Sequence, residues 1–137
     1  MMDKKKLCKQ AIQAMQNAHA PYSGYKVGAA LLTADGRVYT GCNIENASYS
    51  ATVCAERTAV FKAISEGKTD FAMLAVAGGK NSVIDGAFPP CGVCRQVLAE
   101  FCPPKFLVLV VTAMDGSFTE YTLEELLPEA FGGKHMN

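Results

Sequence analysis

Between Pro103-Pro104 and Asp115-Gly116 the stretch from Phe106 to Thr112 runs Phe106-Leu107-Val108-Leu109-Val110-Val111-Thr112, with no polar residue before its last to alternate against. A strand of that kind is apolar on both faces, so both need cover, and the common cover is a layer of helices on each side of a sheet. The rest of the chain supplies such layers. Leu7, Cys8, Ala11, Ile12, Met15 and Ala18 fall at helical spacing over residues 4–19, and Pro21 ends the run. Residues 27–33 and 37–42 flank Asp35-Gly36 and read as a hairpin. A second helix is predicted over 54–66, with Ala55, Ala59, Ala63, Phe61 and Ile64 inward and Gly67 as its C-cap. Residues 71–77 read as a short apolar strand and 78–88 as a polar surface loop. Pro89-Pro90 lead into a third helix from 91 to about 101, and Pro103-Pro104 stop it. Asp115-Gly116 turns the buried strand into a fifth one ending near Tyr121. Thr122 with Glu125 forms a capping box for a short closing helix, and residues 132–137 read as a frayed tail.

The order α-β-β-α-β-α-β-β-α predicts an α/β fold of three layers, α/β/α, around a five-stranded mixed sheet. Parallel neighbours are expected around the two middle helices, because such strands need a crossover. A length of 137 residues suits one domain spanning 1–137. Half of the residues are hydrophobic, enough to exclude a disordered chain. Thirteen basic residues balance thirteen acidic ones, which argues against a partner that is nucleic acid; Lys4 to Lys6 is too short a run to change that. No stretch approaches the ~20 apolar residues of a membrane span, and the N-terminus carries no signal-peptide core. A cytoplasmic protein with no membrane partner is therefore expected. In that reducing setting its six cysteines read as metal ligands or buried thiols before disulfides.

Cys91-Gly92-Val93-Cys94 is a C-x-x-C pair at a helix start, where two thiolates can share an ion and the helix N-terminus favours their charge. Alone the pair is equally a redox couple or two core cysteines. Cys54, also at a predicted helix start, offers a third thiolate, and Glu56 a carboxylate two residues on. Three ligands with an open fourth position and a neighbouring base are the design of a catalytic zinc site, whereas a structural site closes with a fourth Cys or His. Cys8, Cys42 and Cys102 lie on apolar patterns and read as buried thiols. His19 reads as a cation at the end of the first helix, and His135 as a tail residue. Arg95 reads equally as a sulfur partner or a solvated helix residue.

The chain resembles the small cytidine deaminases of the all-cysteine type. The resemblance runs through Pro21-Tyr22-Ser23, Val27-Gly28-Ala29-Ala30-Leu31-Leu32, Gly41-Cys42-Asn43-Ile44-Glu45-Asn46, Cys54-Ala55-Glu56-Arg57, Pro90-Cys91-Gly92-Val93-Cys94-Arg95-Gln96 and Glu125-Leu126-Leu127-Pro128. It implies one zinc ion per chain on Cys54, Cys91 and Cys94, with hydroxide formed at the metal attacking C4 of the base and Glu56 shuttling the protons. It also implies that Arg57 donates to the ligand sulfurs, drawing back charge from a site that three thiolates would leave negative. Asn43 and Glu45, which share one face of an extended segment, are implied as the pair that holds the sugar of a nucleoside substrate. The Ala55 amide is expected to meet the pyrimidine carbonyl. Tyr25 is expected to contact the base, where the family more often has Phe. Tyr49 and Phe131 are expected to reach sites across subunit boundaries, which implies a homotetramer. Cytidine and 2′-deoxycytidine, deaminated in pyrimidine salvage, are the implied substrates. The alternatives are a deaminase of another cytosine-containing metabolite, such as an antibiotic, and a structural zinc module in which Glu56 is idle.

Overall fold

A computed structural model describes residues 3–136. Helix α1 (Lys4–Met15) is followed by β1 (Tyr25–Thr33), β2 (Val38–Cys42), α2 (Ala55–Ser65), β3 (Phe71–Lys80), α3 (Gly92–Phe101), β4 (Leu107–Val111), β5 (Phe118–Thr122) and α4 (Leu123–Leu126). The strands form one mixed sheet in the order β2-β1-β3-β4-β5, and β3 with β4 is its parallel pair. The predicted capping box at Thr122 and Glu125 is formed.

Strand β4 answers to its sequence. Val108 and Val110 pack with Leu31, Leu74 and Val76 under α2 and α3, where Ala59, Val60, Ala63 and Leu98 meet them. Leu109 and Val111 face the other way, against Leu7, Cys8, Ala11 and Met15 of α1. These four of the five β4 side chains are fully buried, so helices cover both faces of the sheet, as the unbroken apolar run requires.

Five expectations are corrected. Helix α1 stops at Met15, and His19 lies beyond it in an isolated bridge to Ile44, so it is not a cation at a helix end. Strand β3 continues through Gly78 and Gly79 to Lys80, because these pair with Val27, Lys26 and Tyr25 of β1 where a surface loop was predicted. Phe61 faces outward, 47% exposed. The segment after Phe131 is a 3-10 turn over Gly133–Met136, not a frayed end, with the His135 ring stacked on Phe131. The crossover expectation holds for β3-α3-β4 only. The β2-α2-β3 crossover does not join neighbours, because β1 lies between them and pairs antiparallel with each.

One close approach sets the position of the site. A Cβ on Gly41 of β2 would stand 2.5 Å from the Ala55 carbonyl oxygen and 2.6 Å from the Ala59 nitrogen. Only a residue without a side chain lets the first turn of α2 lie directly on the sheet.

Candidate active site

Cys54 and Cys91 are the N-cap residues of α2 and α3, both with extended backbone. A side chain at that position ordinarily accepts from the first turn of its own helix. Neither sulfur does so. They turn toward each other, with Sγ atoms 3.7 Å apart. Cys94, in the first turn of α3 and fully buried, completes the group, and the three sulfurs lie within 4.8 Å of one another.

The electrostatics of the three sulfurs follow from this crowding. The neighbouring Cys94 thiol, with Arg57 and Cys91 adding to it, holds the Cys54 thiol below its ordinary range. Arg57 Nη2 is 3.5 Å from the Cys54 sulfur. The same closeness of Cys54, together with burial, pushes the Cys94 thiol up. Three thiolates this close repel one another, and a thiophilic dication between them relieves that repulsion. The donor set fits zinc: three sulfurs, and no fourth Cys or His in the group among the described residues, so one position stays open.

Glu56, in the first turn of α2, is 3% exposed, and its Oε1 has no hydrogen-bond partner. A buried, unpartnered carboxylate oxygen is costly, and burial, reinforced by the charge on Cys54, pushes the carboxyl up to about 7. Ala55, as the first residue of α2, has a backbone N–H with no acceptor inside the helix. Its side chain is wholly buried in the core.

A cavity of about 240 Å³ opens onto this cluster, with Glu56, Cys54 and Cys91 at one end and Tyr25, Asn43 and Glu45 along its walls. The segment 43–45 is held extended from both sides. Asn43 accepts from the His19 N–H (3.0 Å), Glu45 donates to the His19 carbonyl (2.8 Å), and Ile44 bridges Val53. Asn43 and Glu45 therefore share a face, as their spacing predicts. Asn43 also has a structural duty: its Oδ1 accepts from Val27 N and its Nδ2 donates to Tyr25 O, each at 2.8 Å, extending the β1-β2 ladder. One amide hydrogen and one acceptor lone pair remain for a ligand.

The structure brings together Tyr25, Asn43, Glu45, Cys54, Glu56, Cys91 and Cys94, with Arg57 behind the sulfurs. It does not bring Tyr49 or Phe131 to this cavity within the same chain. Tyr49 is 76% exposed beside Tyr22 in an adjoining depression, and Phe131 is 58% exposed on a groove formed with α3 and α4. Phe88 was missed by sequence reasoning. It stacks on Tyr25 with ring centroids 5.8 Å apart and forms part of the cavity wall. Gly78 makes room for it, since a Cβ there would lie 2.7 Å from the Phe88 ring. Arg95 is neither a sulfur partner nor solvated. Its Nε donates to Pro90 O and its Nη1 to Leu126 O, both at 2.7 Å, tying the Cys91 loop to the end of α4.

Thiol counting tests the metal assignment without an activity assay. Chelation of zinc from the loaded protein is expected to raise the number of thiols reacting with a disulfide reagent at pH 8 by two, Cys54 and Cys91, since Cys94 is fully buried and its thiol is pushed up. Cys8 and Cys102 stay silent in both states, since burial pushes each up to about 12. An unchanged count would take the metal off these sulfurs.

The cytidine and deoxycytidylate deaminase zinc-binding region matches residues 1–110. A cytidine deaminase of Halalkalibacterium halodurans is 51% identical over 136 residues, covering 99% of either chain. A blasticidin-S deaminase of Bacillus cereus is more distant, at 33% over 108 residues, covering 76% of this chain and 75% of its own. The crystal structure of a cytidine deaminase from Burkholderia pseudomallei superposes with a TM-score of 0.85 at 45% identity, covering 95% of this chain and all of that one. With a family match that spans both helix starts carrying the sulfurs, and a relative alike from end to end, the chain belongs to the cytidine deaminase family.

Proposed function

We propose that this chain, acting as one catalytic domain, converts cytidine and 2′-deoxycytidine to uridine and 2′-deoxyuridine, consuming water and releasing ammonia, as a step of pyrimidine salvage. The observation that carries this reading is the unpartnered, buried Glu56 oxygen beside three converging sulfurs, at the end of a cavity that also presents Asn43 and Glu45.

Zinc on Cys54, Cys91 and Cys94, when bound, supplies a Lewis acid that makes water a nucleophile near neutral pH. Glu56 takes one proton from that water and gives it to N3 of the ring, so that C4 is attacked as the C4=N3 double bond opens. It then takes the second proton and delivers it to the exocyclic nitrogen, which leaves as ammonia as C4=O forms. Burial raises the Glu56 carboxyl above its ordinary range, which favours its acid form and so its service as a proton donor. The Ala55 N–H donates to the pyrimidine carbonyl, and Tyr25 and Phe88 flank the base. Arg57 draws negative charge from Cys54.

Asn43 and Glu45 hold the sugar, a pair that disfavours a deaminase of another cytosine-containing metabolite. The cavity wall carries two carboxylates, Glu45 and Glu56, and no lysine or arginine, so a nucleoside suits it and a phosphorylated nucleotide is repelled. The outward placement of Tyr49 and Phe131 is consistent with service at neighbouring sites in a homotetramer, and light scattering should then return four times the chain mass. Among the described residues no helix is long and apolar enough to cross a membrane, and the six cysteines are unpaired. Both features suit a reducing cytoplasm.

The test is direct. Zinc-loaded protein mixed with cytidine should lose the substrate's ultraviolet absorbance and release one ammonia per molecule, while cytidine 5′-monophosphate is left intact. No ammonia from cytidine would overturn the reaction, and equal turnover of the monophosphate would overturn the nucleoside assignment.

A further inference from the structure

Glu45 is held by one turn of chain, residues 22–25, and Ser23 supplies two of its three bonds there. Glu45 Oε1 accepts from Tyr22 N (2.9 Å) and Ser23 N (3.1 Å), and Oε2 accepts from Ser23 Oγ (2.5 Å). The serine hydroxyl itself accepts from Tyr25 N at 3.0 Å. With that lone pair occupied, its single proton is directed at Glu45, so the hydroxyl's orientation is fixed from both ends. The same turn carries Tyr25 onward into the cavity wall.

The two backbone donors alone would pin only Oε1 and leave the carboxylate free to rotate about that anchor. The hydroxyl removes this freedom. These contacts, Ser23 first, also hold the Glu45 carboxyl below its ordinary range, so the group stays a pure acceptor. An acceptor whose plane is fixed, on a residue that lines the cavity, selects for a hydroxyl at one place on the ligand.

We propose that Ser23 is a positioning residue: its hydroxyl fixes the Glu45 carboxylate so that Oε2 receives the 3′-hydroxyl of the nucleoside, and discrimination against 3′-deoxynucleosides depends on it. This rests on the reading of Glu45 as a sugar ligand.

The test is steady-state kinetics of the zinc-loaded enzyme with cytidine and 3′-deoxycytidine for Ser23→Ala, Ser23→Thr and Glu45→Gln. Losing a hydrogen bond to a charged group should raise KM for cytidine in Ser23→Ala by on the order of tenfold, with kcat falling much less. Catalytic efficiency with 3′-deoxycytidine should hold, so the preference between the two substrates narrows, and Ser23→Thr, which keeps the hydroxyl, should restore it. A purely structural role for Ser23 would lower both substrates alike, and that result overturns the proposal. If Glu45→Gln abolishes the preference while Ser23→Ala leaves it intact, Ser23 alone is dismissed. If Glu45→Gln itself leaves the preference intact, the sugar reading of Glu45 falls, and the role of Ser23 falls with it.

Discussion

Replacing Glu56 by glutamine is expected to leave a folded, zinc-loaded protein whose turnover of cytidine drops by at least the ~10² to 10⁴ that a positioned acid–base group supplies. The substitution keeps the shape of a side chain that is 3% exposed, so packing is not disturbed. It removes the one group on the cavity wall that is both close to the sulfurs and able to gain and lose a proton near neutral pH. Glutamine would also be spared the cost of burying a charge whose Oε1 has no partner, so the variant should melt no lower than the parent. Metal analysis on the same sample separates the two ways of losing activity. One zinc per chain with turnover abolished assigns the proton traffic to Glu56. One zinc with turnover retained moves that traffic to another group.

What the sequence discloses about this site is whatever depends on short spacing. Cys54, Cys91 and Cys94 could be grouped because each stands at a helix start, and helix starts are written locally in Pro89-Pro90 and in the apolar period that follows. Asn43 and Glu45 share a face because strand geometry has a period of two. The run 106–111 dictates helices on both sides for the same kind of reason. Most of the misreadings are long-range. Gly78 and Gly79 look like loop residues until Val27 and Lys26 lie beside them, and His19 looks helical until Ile44 pairs with it. Phe61 shows the limit of periodicity, since the stripe on α2 is narrow: Ala59, Val60 and Ala63 fill the contact with the sheet and leave the larger ring outside. Ser23 and Phe88 act on residues that the family resemblance points to, Glu45 and Tyr25, but across gaps that no local pattern spans.

Removing a metal sulfur should have opposite effects on stability depending on whether zinc is present, and Cys54 is the position at which this can be seen. Cys94→Ala and Cys91→Ala leave two sulfurs, and both are expected to lose zinc. Apparent binding energies for structural zinc reach ~10 to 16 kcal/mol, a contribution these variants would forfeit. They should still fold, because none of the three sulfurs belongs to the clusters that cover the two faces of the sheet. Their thermal midpoints should therefore fall to that of the parent stripped of zinc, and not below it. Cys54→Ser separates the two contributions further. Cys54 is an N-cap residue that makes no cap hydrogen bond, because its sulfur is turned to Cys91. Serine is among the preferred N-caps, worth ~1 kcal/mol when its oxygen accepts from the first turn. In the metal-free state Cys54→Ser should accordingly melt at or above the metal-free parent, while with zinc supplied it should melt well below the zinc-loaded parent. A variant less stable than the parent by the same margin in both states would mean that Cys54 serves packing alone. A variant that still carries one zinc per chain would mean that the ion is held without this sulfur.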